Sequence, residues 1–236
     1  MKNRIFTVLC ASLLICLLIS SCLYGIKGSG KVVRNERHVA PFGAISASAG
    51  LEVYLTQDSV TRVIVEADTN LQEIIKTEVS NGELKIYLKQ RISTCEAKKV
   101  YVTFKTIHAL EASSGSEVFS KMELKMPALQ VSVSSGANIE LNLSVKTLNA
   151  DGSSGGNLKL TGLAEHFEVE GSSGTNIRAK DLQTKTCNAG ASSGANLKVN
   201  VTEKISAQAS SGGNIKVMGN PRERNVQKSS GGNVDF

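Results

Sequence analysis

Four cations recur at one offset from a repeated motif. Lys159, Arg178, Lys198 and Lys216 each stand four residues after the glycine of a Ser-Ser-Gly-x-Asn or closely matching unit. If successive units are neighbouring strands of one sheet, these side chains line up at the strand spacing of about 4.8 Å. A row of that kind repels itself, and an anionic partner such as acidic glycan, lipopolysaccharide phosphate or an acidic envelope protein relieves the repulsion. The row also reads as a solvated face that keeps a flat sheet soluble, with Glu140 and Asp235 at the same offset on either end. Asp151, Glu168 and Glu170 would form a local acidic patch on other outward positions. Surface charge accounts for it, and so would the paired carboxylates that polysaccharide-acting enzymes need across one bond. The three histidines, His38, His108 and His166, are scattered, so no metal or cofactor is expected. Gly25 to Val32 comes within one residue of a phosphate-binding loop, but Val32 stands where a hydroxyl must hold magnesium and no helix follows.

The elements that would position the row follow from the motif itself. Its glycines, Gly136, Gly155, Gly174, Gly194, Gly212 and Gly231, lie 19, 19, 20, 18 and 19 residues apart, and each is followed two residues later by an asparagine: Asn138, Asn157, Asn176, Asn196, Asn214 and Asn233. A fixed period near 20 residues marks a solenoid whose coils bury apolar side chains only by stacking on one another. Counting from each glycine, apolar residues fall at +3 and usually +5, as in Ile139 and Leu141, and at −7 and −5, as in Leu148 and Ala150. That alternation is a strand with one buried face. Each period holds two clear strands, with room for a third. Cys187 shares the register of Leu148, Phe167 and Ile205, so it reads as core rather than as a reactive thiol. The glycine marks the corner, and stacked Ser and Asn side chains there are expected to form hydrogen-bonded ladders. Upstream the frame persists loosely around Gly115, where Glu117 replaces the asparagine, and around Gly50. The expected fold is therefore all-β, a parallel β-helix over residues 31–236 with an atypical N-terminal cap.

Composition agrees, with 41% hydrophobic residues, 4% aromatics, 21 Gly and no Trp. Residues 1–21 stand apart: Lys2, Asn3 and Arg4 precede the apolar run Ile5 to Ile19, the pattern of a secretory signal. Ile19-Ser20-Ser21-Cys22 resembles the bacterial lipobox, in which cleavage leaves an acylated N-terminal cysteine; ordinary cleavage after a small residue is the alternative. Acylation of Cys22 would supply the membrane attachment, with residues 22–30 as a flexible tether. Leu23 to Lys31 contains no acidic residue of the kind that marks surface display in some bacteria, which favours an outer-membrane lipoprotein facing the periplasm. Without residues 1–21 the chain keeps 25 basic and 21 acidic residues, a modest excess with no aromatic–basic interleaving, and nucleic acid is not an expected partner. Cys95 and Cys187 are the remaining cysteines, and a disulfide between them stays open.

The recurring Ser-Ser-Gly-x-Asn-Ile/Leu/Val unit, with Phe42-Gly43-Ala44-Ile45 and Leu51-Glu52-Val53-Tyr54-Leu55 before it, resembles the putative auto-transporter adhesin head family, the GIN domain. The resemblance implies a right-handed β-helix in a Bacteroidetes-type envelope protein. It brings no catalytic residues with it. The expected function is an adhesin-like binding or scaffolding module; a polysaccharide-acting lyase or hydrolase and a purely structural spacer are the alternatives.

Overall fold

A computed structural model describes residues 25–236. It is a β-solenoid: strands Glu117–Val133, Asn138–Gly152, Asn157–Gly171, Asn176–Ala191 and Asn196–Ala209 each run along most of a coil and pair in parallel with the next. Asn214–Met218 and Glu223–Lys228 close the following coil, and Asn233–Asp235 begins one more. The signal segment and Cys22 lie outside the described residues.

Side chains point inward at the expected offsets. Ile139, Leu141, Leu148, Ala150, Phe167, Val169, Ile205 and Ala207 are all buried, and Cys187 sits between Phe167 and Ile205 in register. The frame also holds at Gly50 and Gly115, where Ile45, Val53, Leu110 and Val118 are buried. The coil containing Ala44–Ala47 and Glu52–Gln57 pairs directly with the coil of Ala109–Ala112 and Glu117–Val133, although residues 58–108 intervene in sequence. That insertion builds the N-terminal cap. Lys98–Phe104 adds to Glu52–Gln57, Arg62–Asp68 runs antiparallel on it, and Val32–Arg37 runs antiparallel on that in turn. The hairpin Ile75–Ser80 and Glu83–Leu88 extends the other sheet face. The stretch from Asn70 holds only a single 3-10 turn, Thr69–Leu71, before the strand at Ile75.

Each corner is a type I′ turn. The second serine and the glycine both adopt left-handed backbone, for example Ser173 at φ 49° and Gly174 at φ 73°, and Thr175 N–H donates to Ser172 C=O at 3.1 Å. Type I′ geometry demands two consecutive positive φ values, which a glycine at its second central position meets without strain. Nothing lies within 4 Å of where a Cβ of Gly174 would stand, so conformation rather than space selects the residue. The expected side-chain ladder is corrected here. Backbone carries the stack: Gly136 N–H donates to Ser154 C=O, Gly155 to Ser173 and Gly174 to Ser193, each at 3.1 Å. Among the described residues the serine hydroxyls of the six units form no such ladder, and one asparagine pair does, Asn214 to Asn196 at 3.3 Å. Otherwise Asn157, Asn196 and Asn214 donate to the carbonyl of their own turn glycine.

The tether expectation is also corrected for residues 25–30. Ile26–Lys27 pairs with Ile92–Thr94, Gly28 N–H donates to Thr94 C=O, and the Asp68 carboxylate accepts from Gly30, Glu96 and Ala97 N–H. Asp68 is buried; burial raises its pKa, but the backbone donors outweigh burial and hold it below the usual carboxylate range. Two of the glycines here serve close packing: a Cβ at Gly28 would stand 2.2 Å from the Asp68 carboxylate, and one at Gly25 2.7 Å from Ser93 N.

Coil-length differences are taken up away from the turn. The longer coil places its extra residue near Lys180–Asp181, and the shorter one shifts register between Val199 and Lys204. The turns and the strands just after them therefore stay aligned. Inside, the variable motif residue points into the core and is size-matched to its neighbours. A Cβ at Gly152 would collide with Thr175 Cγ2 at 2.3 Å, so Thr175 fills the space that Gly152 leaves. Thr175 Oγ1 is buried and, among the described residues, has no hydrogen-bond partner.

Cys95 and Cys187 are both free thiols. Burial pushes the Cys187 thiol up to about 12. Its unfolded value lies near 8.5–9, so stability is fully present below pH of about 8.5 and is lost as pH rises from there toward 12. Denaturant titrations should show wild type losing up to about 1.4 kcal/mol per pH unit above pH 9 relative to Cys187→Ala; parallel curves refute the assignment. Thr175→Val keeps the shape and removes the unpaired hydroxyl. It should raise the unfolding free energy by about 1 kcal/mol in urea denaturation, and a loss instead would show that the hydroxyl is satisfied.

Candidate cation row and aromatic stack

Outward positions on the strand after each turn form two rows. At +2 from the glycine stand Glu52, Glu117 and then the asparagines Asn138 to Asn233; at +4 stand Tyr54, Phe119, Glu140, Lys159, Arg178, Lys198, Lys216 and Asp235. The inward partners Ile139, Leu158, Ile177, Leu197, Ile215 and Val234 are buried, which obliges these residues to face out. The structure thus brings the four cations of the sequence pattern together on adjacent strands.

They are not equivalent. Lys159 Nζ pairs with Glu140 at 2.6 Å, a half-exposed contact of the kind that adds little stability but neutralises locally. Among the described residues no carboxylate lies within salt-bridge distance of Arg178, Lys198 or Lys216. The net positive stretch is therefore three coils long.

The other end of the row is aromatic, which sequence reasoning missed. Tyr101 pairs with Tyr54 and Tyr54 with Phe119, and their rings stack at 5.3 and 5.5 Å between centroids. Tyr54 and Phe119 lie four residues after Gly50 and Gly115, so the offset that located the cations could have located them. Tyr101 follows no such glycine and joins only through the cap. Arg34 covers Tyr101 at 5.5 Å, and Lys121 lies over Tyr54 and Tyr101 at 5.0 and 4.7 Å. Burial, together with the hydrogen bond that the hydroxyl donates to the Glu52 carboxylate, pushes the Tyr54 phenol up to about 12 and keeps it neutral. A shallow depression of about 260 Å³ lies where aromatic and charged parts meet, lined by Phe119, Asn138, Glu140, Asn157, Lys159 and Arg178 among others.

On the far side of the turn, Asp151 and Glu170 occupy adjacent positions of another outward row and line a groove of about 400 Å³ with the first serines of the turns. Glu168 sits on the neighbouring row beside Asn149. The two groove carboxylates stand side by side on one face, whereas hydrolysis of a glycosidic bond uses a pair flanking the bond.

A β-solenoid with ribbed outer faces, ordered rows of polar and aromatic side chains and shallow grooves is a protein that presents surface. The chain belongs to the family described as putative auto-transporter adhesin, head GIN domain, whose model matches residues 41–221. Solved structures share the fold. A putative adhesin from Bacteroides fragilis NCTC 9343 superposes with a TM-score of 0.83 at 22% identity, covering 89% of this chain and 99% of that one. A putative adhesin from Parabacteroides distasonis ATCC 8503 gives 0.71 at 21%, over 90% and 99% of the two chains. A putative lipid binding protein from the same strain gives 0.68 at 19%, over 90% and 100%. No curated protein matches the sequence significantly. The family's description is that of a putative adhesin, and among the described residues no helix is long and apolar enough to cross a membrane.

Proposed function

We propose that this chain is a lipid-anchored, non-catalytic adhesion module of the bacterial envelope that binds an anionic partner along the +4 row. The observation that carries the reading is the run of Arg178, Lys198 and Lys216 on adjacent strands with no carboxylate in salt-bridge distance among the described residues. Two like charges about 5 Å apart repel by about 1 kcal/mol even in water-like surroundings, and more where solvent is excluded. A polyanion laid along the row reverses the sign of every one of those terms at once. The asparagine row beside it offers amides for hydroxyl or carbonyl groups of the same partner.

Attachment through acylated Cys22 places the module on a membrane, the outer membrane facing the periplasm in this reading. With Ile26–Lys27 already part of the folded cap, only Leu23 and Tyr24 separate Cys22 from Gly25, and three steps of about 3.5 Å bound the span at roughly 10 Å. The cap then rides close to the lipid surface, and the row extends away from it along the solenoid.

The test uses the detergent-solubilised full chain on immobilised polygalacturonate and heparin. Wild type should be retained and eluted by salt, and the triple variant Arg178→Glu, Lys198→Glu, Lys216→Glu should pass through unretained with an unchanged melting temperature. Cells fed labelled fatty acid should label the wild type but not Cys22→Ala. Equal retention of wild type and triple variant sinks the binding reading; label on Cys22→Ala sinks the anchor.

A further inference from the structure

Phe119 is the last ring of the aromatic stack and the first neighbour of the charged row. Arg34 and Lys121 lie over Tyr101, and Lys121 over Tyr54, whereas Phe119 borders the depression of about 260 Å³. Around that depression the charges balance, Glu117 and Glu140 against Lys159 and Arg178, with Glu140 and Lys159 in direct contact, and Asn138 and Asn157 are amides. One coil further the surface turns positive and stays so through Lys216.

An apolar ring edge, then a charge-balanced set of donors and acceptors, then cations at a fixed spacing is a pattern with a matching ligand chemistry. We propose that the junction seats an uncharged pyranose ring of an acidic polysaccharide against Phe119, and that the rings that follow, acidic ones alternating with neutral ones, run along the solenoid axis over Arg178, Lys198 and Lys216. This rests on the reading of the cation row as an anion-binding face. The coil spacing of about 4.8 Å is close to the length of one pyranose residue, so a glycan laid lengthwise meets an equivalent outward position at every step. The C–H face of the sugar packs on the aromatic surface. Its hydroxyls donate to the Glu140 carboxylate and accept from Lys159 and the asparagine amides. A polyphosphate could use the cations but would gain nothing from Phe119.

The two ends of the site therefore separate by ligand. Binding of the full chain is measured by calorimetry against hyaluronan octasaccharide, which alternates neutral and acidic rings, and against inorganic polyphosphate. Phe119→Ala should weaken hyaluronan binding about fivefold or more, the scale of one lost aromatic contact, and leave polyphosphate within twofold. Phe119→Tyr, which keeps the ring, should bind hyaluronan within twofold of wild type. Hyaluronan affinity unchanged in Phe119→Ala, or both ligands weakened alike, overturns the sugar assignment and leaves the anion-binding row standing. If charge reversal at Arg178, Lys198 and Lys216 leaves both ligands bound as in wild type, the underlying reading falls instead.

Discussion

Two consecutive residues in left-handed backbone, repeated once per coil, hold this molecule in register. The turn built on them bonds to the coil on either side through the glycine N–H and the preceding serine C=O, so no single turn can change shape without breaking the backbone stack. A serine at φ near 48° is strained by about 1 kcal/mol or more, and the chain repeats that strain at every full motif. What it gains is a fixed origin. The strand leaving the turn starts at the same place in each coil, and its +2 and +4 side chains are stacked without any interaction of their own being required. Variation in coil length is confined to the corner beyond Lys180 and Asn200, where nothing downstream depends on alignment with the outer rows.

That division explains what could be read in the sequence. Offsets from the glycine reported the core and the cation row because the turn makes offset and position the same thing. Cys187 was placed by counting alone. Three things escaped the count. The hydrogen bonds that join one corner to the next belong to backbone, which every residue type carries, so the Ser and Asn identities suggested a side-chain ladder that, among the described residues, the geometry uses only between Asn196 and Asn214. Residues 25–30 look like a loose glycine-rich linker, yet Gly28 stands where Asp68 and Cys95 approach too closely for a Cβ, Gly25 where the backbone of Ile92 and Ser93 does, and Gly30 where the backbone is left-handed. Tyr101 joins the aromatic stack through a strand in the inserted cap, with no turn motif before it to count from.

The outer face then acquires a direction. Along one row the chemistry passes from stacked rings through a neutral ion pair to unpaired cations, and the order is set by which coil carries which residue. Repeats of this kind allow such a gradient because the +4 position is free of packing duties; a ring, a carboxylate or an ammonium group fits there equally. The likeness to the Bacteroides and Parabacteroides structures, all near 20% identical, speaks for the scaffold. The row is written by the +4 residues of successive coils, and its meaning depends on their being held in line.

Alignment can be measured directly. With the other accessible cysteines replaced, spin labels at Tyr54→Cys and Lys216→Cys sit six strand spacings apart on the row although 162 residues separate them in sequence. Electron–electron double resonance should return one narrow distribution corresponding to about 29 Å between the attachment points, six times the strand spacing. A broad distribution, or a centre displaced by more than about one spacing of 5 Å, would contradict a row held in register by its turns.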